Sequence, residues 1–316
     1  MSSSQQIHSV WLDEPHRLCN DSAVAMGSFD GIHMGHKHII TRLKTGAEKS
    51  KLNPVLLTFD PHPRLALSQD ISLLTTVPER ELLLRKSGLR FIVHIRFTQQ
   101  FAETSPDDFI DKYIIHSLDT KMLIVGYDHH FGKDRQGNPE TLKAIGLEEG
   151  FPVEIIPPVK IDGVTIKSST IRELISRGEI EKANRFLGHP YLVLGKAIPG
   201  RGIGSHIGYP TANIEYYSYK LLPRDGVYSA RVALSPFARE RNAIVYVGRA
   251  PTFGLPKRMF EVHILDYDGS SLYGRNIATR LHYFIRSDRS FKSLDGLRRQ
   301  IERDIEKARH LLSDIR

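Results

Sequence analysis

No stretch of this sequence approaches the ~18 to 20 consecutive apolar residues that a membrane-crossing helix requires, and Met1 to Arg17 contains no apolar core of the kind an export signal carries. Neither membrane spanning nor export by the usual signal is expected. Cysteine occurs once, as Cys19. A single thiol cannot form an internal disulfide or a multi-cysteine metal site, and it suits a reducing compartment, so the cytoplasm is the expected location. Internal repeats and low-complexity tracts are also missing. With 24 Gly, 17 Pro and 40% hydrophobic residues, the composition excludes a fibre or a disordered chain and predicts a packed core. At 316 residues the chain exceeds what one core normally serves, so two domains are expected.

Charge is unevenly spread. Residues 1–186 carry 23 Lys+Arg against 24 Asp+Glu, and residues 187–316 carry 21 against 12. This asymmetry supports two modules. The second would face something anionic, whether nucleic acid or phosphorylated metabolites, unless its charge is only a solvated surface.

In the first part, apolar runs rich in β-branched residues alternate with helical patterns. They are Ala23 to Met26, Val55 to Phe59, Phe91 to Ile95, Met122 to Val125 and Val153 to Ile156, a rhythm that predicts βαβ units and a parallel sheet. Pro78-Glu79 opens one helix. Ser105-Pro106-Asp107-Asp108 opens another with an N-cap, a proline at N1 and early acids. Later runs follow one another through turn-rich segments, at Tyr191 to Ile198, Gly226 to Leu234, Asn242 to Val247, Met259 to Asp266 and Ile277 to Ile285. They predict an antiparallel β module, most simply a small barrel. Leu294, Leu297, Ile301, Ile305, Ala308 and Leu312, spaced by three and four, predict a last helix with one buried stripe lying across it. Leu187-Gly188-His189-Pro190 ends the preceding helix and sets the domains at 1–186 and 187–316.

At the end of the first predicted strand stands Gly27-Ser28-Phe29-Asp30-Gly31-Ile32-His33-Met34-Gly35-His36, followed by a helical pattern from Lys37 to Lys49. Glycines let backbone approach a ligand, a helix start offers unpaired N–H groups, and two histidines three apart can aim N–H donors at phosphate oxygens. Neither a Walker A nor a G-x-G-x-x-G pattern fits, so H-x-G-H is the diagnostic element. A second segment, Lys167-Ser168-Ser169-Thr170-Ile171-Arg172, enters a helix whose start reads as a capping box from Thr170 to Glu173. Its hydroxyls, N–H groups and Arg172 suit the outer phosphates of a triphosphate, although by itself a Ser/Thr pair there is also an ordinary cap. The runs Thr58 to Pro63 and Val125 to Gly132 each follow a predicted strand at its carboxyl end, where open α/β sheets bind ligands. The adjacent His129 and His130 read as structural or solvent-facing rather than metal ligands.

These four runs, in this order, resemble the adenylyltransferase module of prokaryotic bifunctional riboflavin kinase/FAD synthetases, within the wider H-x-G-H nucleotidyltransferase superfamily. The resemblance implies a Rossmann-like α/β domain that transfers AMP from ATP to FMN and releases pyrophosphate. By position it implies that His33 and His36 stabilise the phosphates, that Gly27, Phe29 and Gly31 line the ATP site, and that Ser168, Ser169 and Arg172 close on it. Asp60, His62 and Asp128 would border nucleotide and flavin. Ser28 and Lys167 stand where Asn and Ser are more usual. Such chemistry needs no enzyme nucleophile, because the FMN phosphate oxygen attacks the α-phosphorus directly and catalysis rests on alignment and charge stabilisation.

In the second part, Gly200, Arg201, Gly202 and Gly204 lead to Gly208-Tyr209-Pro210-Thr211-Ala212-Asn213. The glycines and Arg201 could form a flap over phosphates, while Thr211 and Asn213 offer the hard oxygen donors that Mg²⁺ prefers. A plain glycine-rich turn accounts for the loop equally well. Together with Gly226-Val227-Tyr228, Pro251-Thr252-Phe253-Gly254, Glu261-Val262-His263 and Leu272-Tyr273-Gly274-Arg275, however, the segment is similar to the riboflavin kinase module of the same enzymes. That resemblance implies a six-stranded barrel with a terminal helix. It also implies that Thr211 and Asn213 contact Mg²⁺ and ATP, with Gly200, Gly202, Gly204 and Pro210 around the nucleotide, and that Glu261 is the base for the riboflavin 5′-hydroxyl. Pro199, Ile203, Ser205, Tyr246 and Ala250 depart from the usual pattern and put flap closure and rate in question.

The expected function is therefore phosphorylation of riboflavin to FMN in the second module and adenylylation of FMN to FAD in the first, with ATP as co-substrate and Mg²⁺ serving both. Small molecules would be the partners, without nucleic acid or membrane, for a monomer or weak homo-oligomer. Two alternatives stay open: adenylyl transfer alone beside a weakened kinase barrel, and a flavin-responsive regulator whose basic half binds nucleic acid. The second lacks any helix-turn-helix or RRM signature.

Overall fold

The computed structural model describes residues 8–199, 203–235, 238–249, 258–267 and 271–315. Packing divides them into two compact units. The first draws on Met1–Ile71 and Arg80–Lys167, the second on Ser72–Glu79 and Ser168–Arg316. Helices Ser168–Arg177 and Ile180–Leu187, which precede residue 187, thus pack with the second unit, as does Ser72–Glu79 from far earlier in the chain.

In the first unit, β1 (His8–Leu12), β2 (Ser22–Met26), β3 (Asn53–Asp60), β4 (Phe91–Arg96), β5 (Thr120–Gly126) and β6 (Val153–Ile156) form one sheet in the order β1-β4-β3-β2-β5-β6. All five pairings are parallel. Every expected strand is present, and the edge strand β1 is an addition. Its sequence, HSVWL, alternates too briefly to stand out. Central β2 is buried along its whole length, as a strand covered on both faces must be. Helix Met34–Ser50 lays Ile39, Ile40, Leu43 and Ala47 on one face, while Phe109, Ile110, Tyr113 and Ile114 cover the other. From β2 the chain steps to β3 and β4 on one side and then crosses to β5 and β6 on the other. The topological switch point therefore lies between the carboxyl ends of β2 and β5, where such sheets open a ligand crevice. A small hairpin, β7 (Lys160–Ile161) with β8 (Val164–Thr165), closes the unit.

In the second unit, β9 (Tyr191–Ile198), β10 (Ala212–Glu215), β11 (Gly226–Ala233), β12 (Arg241–Gly248), β13 (Met259–Ile264) and β14 (Asn276–Ser287) form a closed antiparallel barrel in the order β10-β13-β12-β11-β14-β9. The sixth strand, β10, carries the Ala212-Asn213 part of the Pro-Thr-Ala-Asn run. Helix Leu294–Ser313 packs on the outer barrel face: Ile301, Ile305 and Ala308 meet Val227, Ile244 and Ile285. Buried Asp304 accepts from Arg286 at 2.8 Å and from Gln300 at 2.8 Å, fixing the helix to β14. Leu294 departs from the expected stripe. It is 61% exposed because it begins the helix, one residue after the Ser293 N-cap and before the helix reaches the barrel. The expected Thr170–Glu173 capping box is also absent. Helix Ser168–Arg177 starts two residues before Thr170, and Glu173 pairs instead with Arg177 one turn on. Among the described residues no helix is long and apolar enough to cross a membrane.

A capping box does occur at Thr76 and Glu79: the Glu79 carboxylate accepts from Thr76 N–H at 2.8 Å, and Thr76 Oγ1 accepts from Glu79 N–H at 3.4 Å. Glu79 also accepts from Leu194 N–H at 2.7 Å. Lys220, fully buried, donates to Glu79 at 2.8 Å, to Leu192 O at 2.7 Å and to Leu74 O at 2.5 Å, and its ammonium sits 4.3 Å from the Tyr191 ring centre. All three ammonium protons are thereby used, which a charge held out of water requires. Lys220→Met should strand the Glu79 carboxylate in the interior and lower unfolding free energy by about 3–5 kcal/mol in urea titrations. A loss under about 1 kcal/mol would mean that the pair is not the clamp described.

Candidate functional sites

Backbone geometry shapes the first site before any side chain is considered. Beyond β2 the residues Phe29, Gly31 and Ile32 have φ of 49°, 88° and 44°, so the chain turns tightly before the helix begins. Helix Met34–Ser50 starts one turn earlier than the Lys37 expected from sequence, with His33 as its N-cap. Both histidines of H-x-G-H therefore lie at the positive end of that helix, which has no acid in its first turn.

His33 Nδ1 accepts from the His36 backbone N–H at 3.3 Å, which places the hydrogen of a neutral ring on Nε2. The two imidazoles stack with centres 3.6 Å apart and planes inclined by 15°, and Phe29 meets His36 edge-on at 5.2 Å. Gly35 makes this possible. A Cβ there would lie 3.1 Å from His33 Cε1 and 3.2 Å from Nδ1, closer than a packed side chain normally tolerates. Burial first, then the neighbouring His33 and Arg80, hold the His36 imidazole well below its ordinary range. His36 is thus a neutral donor rather than a cation.

Arg80 was not singled out from sequence. It is 2% exposed and donates from Nη1 to Ser28 O at 3.2 Å, on the carbonyl that Thr58 Oγ1 reaches at 3.4 Å. Asp60 ends β3; burial raises its carboxyl, and Arg80, His94 and Arg96 oppose that rise. His62 caps helix Pro63–Ala66, its Nδ1 accepting from Arg64 N–H at 3.2 Å. Asp128 follows β5 and pairs with Lys167 at 3.7 Å. Gly27, Phe29, Gly31, His33, His36, Asp60, His62 and Asp128 all belong to this unit and follow the carboxyl ends of three parallel strands, β2, β3 and β5. Ser168, Ser169 and Arg172 belong to the second unit. The serines begin helix Ser168–Arg177, and Arg172 Nε donates to Ser72 O at 2.9 Å.

His129 stacks on Phe131, with centres 6.1 Å apart, and its Nε2 is shut from solvent without a hydrogen-bond partner. Burial pushes this imidazole down to about 4. Among the described residues no group of three His, Cys, Asp or Glu is arranged to hold a metal.

Strand register assembles the second site. Asn213 of β10 faces Glu261 of β13, which in turn faces Tyr246 of β12. Phe260, Val262 and Ile264 are buried, whereas Met259, Glu261 and His263 are not, so Glu261 points away from the barrel core. Thr211, two residues before Asn213, shares that outer face. His263 shares a hydrogen with Pro210 O at 2.8 Å, and Tyr246 donates to Asp288 at 3.1 Å. Burial, Asp288 and Glu261 together raise the Tyr246 phenol, keeping it protonated beside Glu261. The flap's last glycine folds back on this corner: a Cβ on Gly204 would lie 2.2 Å from Tyr209 O and 3.3 Å from Thr211 Oγ1. Next to it, Tyr209, Pro210 and His263 border a cavity of about 500 Å³ that Glu302 and Ile305 of the terminal helix complete, enough for a ring system. Gly200, Arg201 and Gly202, with Ala250 and Pro251 to Gly254, lie outside the described residues.

Comparison with known proteins bears on both sites. A family model described as FAD synthetase matches residues 16–170, and one described as riboflavin kinase matches residues 187–312. A bifunctional riboflavin kinase/FMN adenylyltransferase of Listeria monocytogenes is 32% identical, over 98% of this chain and 97% of that protein. Its counterpart in Bacillus subtilis is 31% identical over 98% and 99%. A crystal structure described as a macrolide-efflux protein from Streptococcus pneumoniae superposes with a TM-score of 0.85 at 31% identity, covering 95% of this chain and 98% of that one.

The depressed histidines give a pH dependence. An unfolded chain binds these protons near pH 6.5 and the folded chain only at lower pH, so stability present at pH 7 declines as the pH falls from about 6.5 towards 4. Urea unfolding at pH 7 and 5 should show a smaller difference for His129→Phe than for the parent chain. An equal difference in both would remove His129 as a contributor.

Proposed function

This chain belongs to the bifunctional riboflavin kinase/FMN adenylyltransferase family, and from that premise we propose how its residues divide the two reactions. The barrel unit converts riboflavin and ATP to FMN and ADP, and the sheet unit converts FMN and ATP to FAD and pyrophosphate. The observation that carries this division is that each unit builds its own polar corner: stacked imidazoles at a helix start in one, Thr211, Asn213 and Glu261 on one barrel face in the other.

In the kinase corner, Glu261 accepts the proton of the riboflavin 5′-hydroxyl as that oxygen attacks the γ-phosphorus and ADP leaves. Asn213, directly across the strand pair, orients the phosphate end. The donor set also fits Mg²⁺. Thr211 and Asn213 supply a hydroxyl and an amide oxygen, and a hard cation with so few protein ligands completes its shell from phosphate and water. Thr211 and Asn213 would hold the ion, which when bound offsets charge on the transferring group.

In the adenylyl-transfer corner, a phosphate oxygen of FMN attacks the α-phosphorus of ATP, and the bond to the β-phosphate oxygen breaks. His33 and His36 donate to the phosphates from fixed positions. Asp60, His62 and Asp128 border the substrates. Phosphorylated substrates account for the basic second half without nucleic acid. The reading is completed by a cytoplasmic location, a monomer or weak homo-oligomer, and no membrane partner.

Chromatography of flavins after incubation with riboflavin, ATP and Mg²⁺ should show FMN and then FAD. His33→Ala should slow FAD formation by about 10²–10³-fold and spare FMN formation. Glu261→Gln should slow FMN formation by about 10²–10⁴-fold and leave supplied FMN convertible to FAD. Loss of both activities in either variant would contradict the division. Gly204→Ala, which pushes on Tyr209 O and Thr211, should impair only the kinase step; an unimpaired kinase would mean the close approach is dispensable.

A further inference from the structure

Arg80 lies on helix Val77–Arg85, on the sheet face that also carries Thr58 and His94, and almost none of it reaches solvent. Its guanidinium meets the turn after β2, donating to Ser28 O at 3.2 Å. Ser28 is flanked by Gly27 and Phe29, the residues that begin the turn. A second donor, Thr58 Oγ1, reaches the same carbonyl at 3.4 Å, the outer limit of a hydrogen bond. The arginine is therefore the stronger of the two anchors on this peptide unit. Its charge also acts on His36 and on Asp60. A buried cation placed among the donors of a phosphate site is felt far more strongly than one in water.

We propose that Arg80 is a positioning residue for adenylyl transfer: its guanidinium fixes the Ser28 carbonyl, and with it the donor turn that receives the triphosphate, while adding one buried positive charge to that turn. The assignment rests on the reading that this turn binds ATP. Arg80 acts through Ser28 and the field at His36, and no bond to the reacting phosphorus is assigned to it. Its neighbour Ser28 contributes through its backbone, so the residue type at position 28 matters less than the anchor on its carbonyl.

Arg80→Met keeps length and removes both charge and donor; Arg80→Lys keeps the charge and loses the fork. The full-length chain is used, and FMN formation from riboflavin reports folding in the same sample. We expect Arg80→Met to lower kcat/KM for FAD formation from FMN by about 10- to 100-fold with FMN formation retained, and Arg80→Lys to fall between it and the parent. A simple structural role would not move the titration of His36 in isotope-labelled protein. Here Arg80→Met should shift it towards the ordinary histidine range, and Arg80→Lys should leave it near the parent position. FAD formation within about twofold of the parent in both variants overturns the proposal, as does an unshifted His36 in Arg80→Met. If Arg80→Met does not fold, full FAD formation by Arg80→Lys overturns it and a partial loss supports it. His33→Ala separates the two levels: if it leaves FAD formation intact, the ATP reading of the turn fails, whereas its loss alongside normal Arg80 variants defeats only the present assignment.

Discussion

Hydrogen-bond register between neighbouring strands decides which side chains in this protein meet. Antiparallel pairing of β10 with β13 sets Asn213 opposite Glu261, and pairing of β13 with β12 sets Glu261 opposite Tyr246. A one-residue slip of β13 would turn Glu261 inward and bring Val262 outward, separating it from Asn213 and Tyr246. In the sheet unit, parallel pairing brings every strand to the same edge, so residues 27–36, 60–63 and 127–130 follow strands that end together although they are far apart in sequence. Side-chain chemistry acts only after this backbone arithmetic has placed it.

Close backbone packing supplies the second condition. Gly35 lets the His33 ring lie flat against the helix start, and Gly204 lets the flap end rest on Thr211. The electrostatics follow from burial. His36 is shielded, stacked on another imidazole and near a guanidinium, so it stays neutral and donates without carrying charge. A neutral donor fixed in place by packing needs little reorganisation to bind an acceptor. Elsewhere the same low dielectric makes Glu79 and Lys220 depend on each other, and their pairing holds Ser72–Glu79 against the barrel.

Much of this was legible from sequence, because period-2 runs and a glycine-histidine turn carry strong local signals. Five sheet strands, five barrel strands and the terminal helix were marked by their apolar patterns, and H-x-G-H by its position between strand and helix. β1 and β10, of five and four residues, were missed. Arg80 was missed because Glu79-Arg80-Glu81 reads as a solvated charge run, and nothing local reveals that Glu79 and Arg80 are both buried. The false capping box at Thr170 had the right residue types, but the helix started two residues earlier and Glu173 found Arg177. Residue type sets what a side chain can do, and the tertiary partner decides which option is taken.

Two corners acting on different phosphorus atoms of one nucleotide can be told apart by following the label. Riboflavin is incubated with Mg²⁺ and ATP carrying radioactive phosphorus at either the α or the γ position, and the flavins are then separated. γ-label should enter FMN and persist in FAD, whereas α-label should be absent from FMN and present in FAD. Label from the α position in FMN, or FAD without α-label, would contradict the account.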